Sequence, residues 1–224
     1  MEHQAPVFAD GEGPSQIPPQ NVESAGYRMV KRAFDLLGGS CIAVLMLPIF
    51  PLIALVIKLD SRGSIFYGHD RVGLSGKPFK FYKFRSMYEG SDRRQGDLIE
   101  QNEQDGPVFK IRSDPRITGV GGFLRRSSLD EIPQIINVLK GDMSIVGPRP
   151  PLASEVEQYL PWQRRRLDVK PGITCLWQIS GRSEIGFDEW MRLDLEYLRT
   201  RSLRTDLLIF LKTIPAVIRR KGAY

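Results

Sequence analysis

The pattern of apolar and polar positions is uneven along the chain, and its longest feature comes early. From Leu36 to Ile57 no residue carries a charge. A continuous helix of that length would measure roughly 30 Å, the thickness of a bilayer core. Before it, Tyr27 to Asp35 reads as a basic lead-in helix with Lys31 and Arg32; after it come Lys58 and Arg62. Pro48 and Pro51 lie inside the run. Each removes a backbone hydrogen bond, and Pro48 is expected to bend or break the helix. Basic residues on both sides place both ends on one side of a membrane. The pattern therefore predicts a helix–break–helix that enters and leaves through one leaflet; a buried core helix of a soluble protein is the competing reading.

Past residue 60 the period changes. Ile65-Phe66-Tyr67 and Phe79-Lys80-Phe81-Tyr82-Lys83-Phe84 are strand-like, and Leu74-Ser75-Gly76-Lys77-Pro78 supplies a turn between them, so a β-hairpin is predicted over 64–87. Alternation groups Phe79, Phe81 and Lys83 on one face. Residues 89–103 are charged and polar, the pattern of a surface helix. Helices are predicted at about 152–168, 187–200 and 205–219, the last apolar on one side and interrupted by Pro215. That last helix fits an interfacial position or a core position equally. Residues 1–24 are rich in Pro, Gln and Gly without apolar periodicity, and read as a disordered tail and not as a signal peptide. The division expected is a tail over 1–24, a lead-in and membrane segment over 25–60, and a cytoplasmic domain over 61–224. The fold class is α+β, mostly helical: a small soluble domain with a hairpin, anchored by the re-entrant segment.

The chemistry concentrates between Arg125 and Pro150. Asp130 and Glu131 are adjacent carboxylates, followed by apolar Ile132, Ile135, Ile136 and Leu139 at helical spacing, and by Gly141 where a left-handed residue would end a helix. Two starts are open: Ser128 with Glu131 as a capping box, or a later start with Asp130 as cap, since Pro133 suits a first turn. Either puts the pair at a helix N-terminus, among Arg125, Arg126 and Arg149. There Asp130 is expected to stay ionised. Gly147-Pro148-Arg149-Pro150 is a stiff turn presenting one guanidinium. By themselves such acids are more often caps paired with arginines than catalytic groups.

Composition narrows the classes. The chain has 224 residues, 42% hydrophobic and 26% charged, values of a globular domain and not of a polytopic membrane protein. A net charge of +6 suits an anionic membrane, phosphorylated substrates or nucleic acid. No interleaved basic–aromatic recognition motif supports nucleic acid. Cys41 and Cys175 offer no disulfide framework, and His3 and His69 are the only histidines, which argues against a His-based metal site or a Ser-His-Asp triad. His69 stays open as a lone base.

The block joining Leu-Asp-Glu-x-Pro-Gln at 129–134 to Leu-Lys-Gly-Asp-Met-Ser at 139–144 and Gly-Pro-Arg-Pro at 147–150 resembles the signature of the bacterial sugar transferases, the monotopic polyprenyl-phosphate phosphoglycosyl transferases. The resemblance runs from about Tyr27 to the C-terminus and includes Lys-Phe-Arg-Ser-Met at 83–87, Pro-Gly-Ile-Thr at 171–174 and Ser-Gly-Arg at 180–182. Where the family often has Ser-Pro at the membrane break, this chain has Leu47-Pro48. The subgroup resembled is that of exopolysaccharide-initiating undecaprenyl-phosphate galactose or glucose phosphotransferases. The resemblance implies transfer of a hexose-1-phosphate from a UDP-sugar to undecaprenyl phosphate at the cytoplasmic face of the bacterial inner membrane, with release of UMP. It implies Asp130 as nucleophile, Glu131 as a Mg²⁺ ligand, and Arg125, Arg149, Arg182, Lys83 and Arg85 as phosphate or substrate grips. Read without it, Lys83 and Arg85 are a solvated strand face and Arg182 is surface charge. A non-catalytic basic membrane-attached binding module is the alternative function, and a phosphatase using the same aspartyl chemistry is a third.

Overall fold

Ser24 opens the first helix: its side chain accepts the N–H of Tyr27 at 3.1 Å, and α1 runs from Ala25 to Met46. In the computed structural model, which describes residues 24–181 and 184–219, the chain then breaks at Leu47-Pro48. Helix α2 (Ile49–Asp60) leaves at 60° to α1. Pro48 causes the break, as expected. Pro51 does not take part in it, because it sits in the first turn of α2, where its missing N–H would have had no partner. No single helix among the described residues is long and apolar enough to cross a membrane; the bent pair taken together has the length and composition.

Each helix of the pair has one packed side and one bare side. Phe34, Ile42 and Ala43 of α1 pack on the main core, which holds Ile135, Val138 and Ile145. Gly38 permits this approach, since a Cβ there would lie 2.6 Å from Ile145 Cδ1. Three charged residues of the lead-in also reach the domain. Arg32 donates to the carbonyls of Val138 and Leu139 at 2.6 and 2.7 Å. Buried Asp35 accepts from Ser144 Oγ at 2.8 Å and from the Ile145 N–H at 3.0 Å. Lys31 pairs with buried Asp206 at 2.7 Å. Ile53 and Ile57 of α2 pack with Phe84 and Leu124. Burial of each such side chain contributes about 1.5–3 kcal/mol. The bare sides expose Leu37, Val44 and Leu45 on α1, Leu47 at the break, and Leu52, Leu55 and Leu59 on α2.

The hairpin pairs β1 (Phe66–Val72) antiparallel to β2 (Pro78–Phe84), with Phe66 opposite Phe84 and Tyr67 opposite Lys83. Ser75 and Gly76 turn the chain with φ of 55° and 79°. Opposed residues share a face, so Tyr67, His69 and Arg71 lie with Phe79, Phe81 and Lys83. On the other face Phe66 and Phe84 stack, and Phe50 of α2 closes on Phe84 at 4.7 Å between ring centroids.

The polar stretch that follows forms two short 3₁₀ helices, Ser91–Arg94 and Gly96–Gln101, and not one surface helix. Gly90 and Gly96 interrupt a sequence without an apolar stripe to hold a helix down. After α3 (Gly119–Arg126) the dyad segment leads into α4 (Ile135–Lys140), which ends at Gly141 with φ of 95°, the left-handed stop read from the sequence. Strand β3 (Ser144–Val146) pairs in parallel with β4 (Gly172–Thr174). The helix expected over 152–168 is divided into α5 (Ala153–Glu157), α6 (Pro161–Arg164) and a 3₁₀ turn, Arg165–Asp168, because Pro161 forces Leu160 into extended backbone. Helices α7 (Leu176–Ser180), α8 (Phe187–Thr200) and α9 (Leu203–Arg219) complete the fold. Helix α9 continues through Pro215. That proline lies on the exposed side, where the carbonyl it deprives of a partner is not buried. The architecture is mostly helical with two small two-stranded sheets.

Candidate active site

Between α3 and α4 the chain makes an unusual turn. Ser128 takes the left-handed conformation, φ 57°, and the dyad lies in a 3₁₀ segment, Leu129–Gln134, that runs into α4. Neither expected cap forms: Ser128 makes no side-chain cap, and its carbonyl accepts the Glu131 N–H at 3.2 Å. Positive φ at Ser128 reverses the chain there, and Pro133 suits a 3₁₀ turn without its N–H. The apolar stripe is also revised. Ile136 is exposed, and Asn137 and Val138 are buried in its place.

Asn137 has a positioning task. Its carboxamide accepts the Tyr82 N–H at 3.3 Å and donates to the Lys80 carbonyl at 2.6 Å, so α4 is joined to β2 on both sides of Phe81. That joint brings Lys83 to the dyad. Lys83 Nζ lies 2.8 Å from Glu131 Oε1 and 3.6 Å from Asp130 Oδ2. Arg149 Nη1 reaches the same Glu131 oxygen at 3.2 Å. Glu131 Oε2 and Asp130 Oδ1 therefore have no partner among the described residues.

The two carboxyls are tuned apart. Burial pushes Asp130 above the ordinary carboxylate range, with Glu131 adding to it while Lys83, Arg125 and Arg149 oppose it. Burial outweighs the cations in setting the direction of that shift. Burial acts on Glu131 too, but there Lys83 and Arg149 win, and its carboxyl falls to about 2. Arg149 is held charged against burial by Glu131. Burial lowers the Arg125 guanidinium, which Asp130 and Asp114 support; among the described residues it makes no hydrogen bond.

Among the described residues no three His, Cys, Asp or Glu side chains gather into a metal cluster. A magnesium ion needs less from the protein, since it takes one or two carboxylates and completes its shell with phosphate oxygens and water. The uncommitted Oε2 of Glu131 fits that requirement.

The chain matches the model of the bacterial sugar transferases over residues 26–220. It belongs to that family. This sugar transferase is 42% identical over 200 residues to the exopolysaccharide production protein ExoY of Rhizobium meliloti (strain 1021), covering 88% of each chain. It is 41% identical over 211 residues to the undecaprenyl-phosphate galactose phosphotransferase of Salmonella typhimurium, covering 91% of this chain and 44% of that one. To the UDP-glucose:undecaprenyl-phosphate glucose-1-phosphate transferase of Escherichia coli (strain K12) it is 42% identical over 206 residues, covering 88% of this chain and 42% of that one. It thus spans most of ExoY and under half of the two longer relatives.

Of the grips read from the sequence of this sugar transferase, the structure gathers Lys83, Arg125 and Arg149 around the dyad. Arg182 lies outside the described residues. Arg85 is placed elsewhere, which corrects its assignment to the phosphate site. It is buried and donates to the carbonyls of Arg62 at 2.6 Å and Ser61 at 2.7 Å, ending α2. Alternation puts Arg85 beside Lys83 only if the strand continues, and β2 stops at Phe84. Arg71 was missed. Its guanidinium stands 5.5 Å from the Phe81 ring centroid, as Lys83 does, and donates to the Pro150 carbonyl at 3.3 Å. Burial and Arg149 push Arg71 down to about 10. The signal was available: in register, Arg71 faces the same side of the hairpin as Lys83.

Proposed function

We propose that this sugar transferase moves a hexose-1-phosphate, galactose or glucose, from a UDP-sugar to undecaprenyl phosphate, in the first membrane step of exopolysaccharide or other surface polysaccharide synthesis. The observation that carries the reading is the asymmetry of the dyad. Glu131 holds Lys83 and Arg149 at 2.8 and 3.2 Å, while Asp130 has Lys83 only at 3.6 Å, in a cationic, largely water-excluded setting. An Asp130 oxygen attacks the sugar-bearing phosphorus, the P–O bond to the uridine-bearing phosphate breaks, and UMP leaves with the bonding pair. A phosphate oxygen of the lipid then attacks the same phosphorus and expels the Asp130 carboxylate. Two displacements let one anion depart before the next arrives. Arg149, Arg125 and Arg182 grip phosphate oxygens, and Lys83 offsets developing charge. Glu131, through its open oxygen, would hold Mg²⁺, which supplies further charge neutralisation when bound.

The bent pair of α1 and α2 is read as a re-entrant anchor with both ends on the cytoplasmic face. Its support is the bare apolar sides of both helices and the basic residues flanking them. The exposed stripe of Leu207, Leu211, Ile214 and Ile218 on α9 adds a second apolar surface suited to the lipid interface.

The test is single-turnover incubation with UDP-galactose or UDP-glucose in the absence of lipid acceptor. One UMP should be released per enzyme, intact mass should rise by one hexose phosphate, and hydroxylamine should remove it. Asp130→Asn should form no adduct and not turn over. Turnover of that variant at a comparable rate, or an adduct on another residue, would end the reading.

A further inference from the structure

Behind Arg149 lies a second, fully buried charge pair that the proposed mechanism does not use. Arg166 is 2% exposed and Asp194 1%, and Arg166 Nη2 meets Asp194 Oδ2 at 2.6 Å. The other arm of the guanidinium, Nη1, donates to the Tyr159 hydroxyl at 2.8 Å. Its central carbon lies 5.7 Å from the Tyr159 ring centroid and 5.3 Å from that of Trp190. The remaining bond points to the site: Nη2 donates to the carbonyl of Arg149 at 2.8 Å.

Stability does not account for this arrangement. A buried ion pair often gains no more than well-packed apolar side chains of the same volume. Burial outweighs Arg166 in setting the Asp194 carboxyl, which is raised to about 6. What the pair does hold is a turn. The Gly147 N–H donates to the Thr174 carbonyl and the Pro148 carbonyl accepts from Gly172, both at 2.9 Å. The Pro151 carbonyl accepts from Val72 at 2.9 Å. The chain is thus tied by backbone on both sides of Arg149, and at Arg149 itself by the Arg166 side chain.

We propose that Arg166, fixed by Asp194 and Tyr159, is a positioning residue that orients the Arg149 peptide and so aims the Arg149 guanidinium at Glu131 and the substrate phosphates. This rests on the reading of Arg149 as a phosphate grip. An error of about 1 Å in such a group is enough to lower rate by roughly 10²-fold.

A double-mutant cycle tests it. Arg149→Ala, Arg166→Met and the double variant are purified in detergent, and kcat, KM and melting temperature are measured with UDP-glucose or UDP-galactose and undecaprenyl phosphate. Arg166→Met should lower kcat/KM by a factor comparable to Arg149→Ala, and the double variant should be no worse than Arg149→Ala alone. Multiplication of the two losses would make Arg166 an independent structural element and overturn the proposal. If Arg149→Ala alone were fully active, the grip reading would fail first, and this proposal with it. Should Arg166→Met not fold, Tyr159→Phe removes one bond and leaves the ion pair. Its smaller loss of kcat/KM should vanish in the Arg149→Ala background, and persistence there would overturn the proposal equally.

Discussion

Lys83 and Glu131 meet at 2.8 Å across the joint between the hairpin and the 3₁₀ dyad segment. The two residues are far apart in sequence, and Asn137 secures the register between them. Lys83 is thus the nearest positive charge to both carboxyls at once. Lys83→Met should lower kcat/KM by about 10²-fold or more, and Lys83→Arg should restore part of it. Steady-state kinetics on the three proteins decide this; unchanged activity in Lys83→Met would leave Lys83 as a structural partner of Glu131 only.

Arg85 should behave in the opposite way. Its guanidinium binds the carbonyls of Ser61 and Arg62 just past α2, so Arg85→Met leaves these part-buried acceptors without that donor, a loss of about 1 kcal/mol. The melting temperature should fall while the folded fraction keeps its KM for the UDP-sugar. A raised KM at unchanged melting temperature would return Arg85 to the substrate site.

Asp194 makes stability depend on pH in a known direction. Its carboxyl titrates near 6 in the folded chain and near 3.9 when unfolded, so between those values the folded state binds more protons. Stability from this group is therefore present below pH ~4 and is lost as pH rises through about 6. Asp194→Asn should remove that slope, which melting curves of both proteins from pH 4 to 7 would show. Parallel curves would mean the carboxyl is ionised throughout.

The proposed Mg²⁺ site at Glu131 predicts metal dependence. Excess EDTA should stop turnover and Mg²⁺ should restore it, with Glu131→Gln requiring a higher Mg²⁺ concentration for half-maximal activity. Full activity in EDTA would remove the metal from the reaction.

The break at Pro48 makes a topological prediction. In a background lacking Cys41 and Cys175, single cysteines placed before Ser24 and at Ser61 should react only from the cytoplasmic side. Periplasmic labelling of either would mean a full crossing. Pro48→Leu should straighten the pair and lower activity, because α1 and α2 are each fastened to the domain at the present angle.

Much of this was legible because local chemistry dominates it. Proline at 48, glycine at 141 and the alternation of β2 each dictate backbone geometry without help from distant residues. The dyad, Lys83 and Arg149 were found through motif and period. What was not legible depends on where an element stops or on contacts made across the fold. Arg85 needed the end of β2 at Phe84. The left-handed Ser128 displaced both expected caps. Asn137, Arg71 and Arg166 act through backbone carbonyls or rings brought from other segments, and a one-dimensional pattern does not display them. The raised Asp130 carboxyl is of the same kind, since its burial comes from the packed hairpin.

The attachment of α1 carries a consequence for how the chain is assembled from parts. Arg32 grips the last carbonyls of α4, Asp35 holds the start of β3, and Lys31 reaches Asp206 at the start of α9. Among the described residues no hinge separates α1 from the segment that carries the dyad. The helix pair is then less a tether than a fixed strut, setting both the height and the tilt of Asp130 relative to whatever surface the bare sides of α1 and α2 rest on. On the proposed reading such a strut cannot be exchanged like a tag: a foreign anchor fused at residue 60 would keep the domain near lipid yet let Asp130 swing out of register with a substrate confined to that plane.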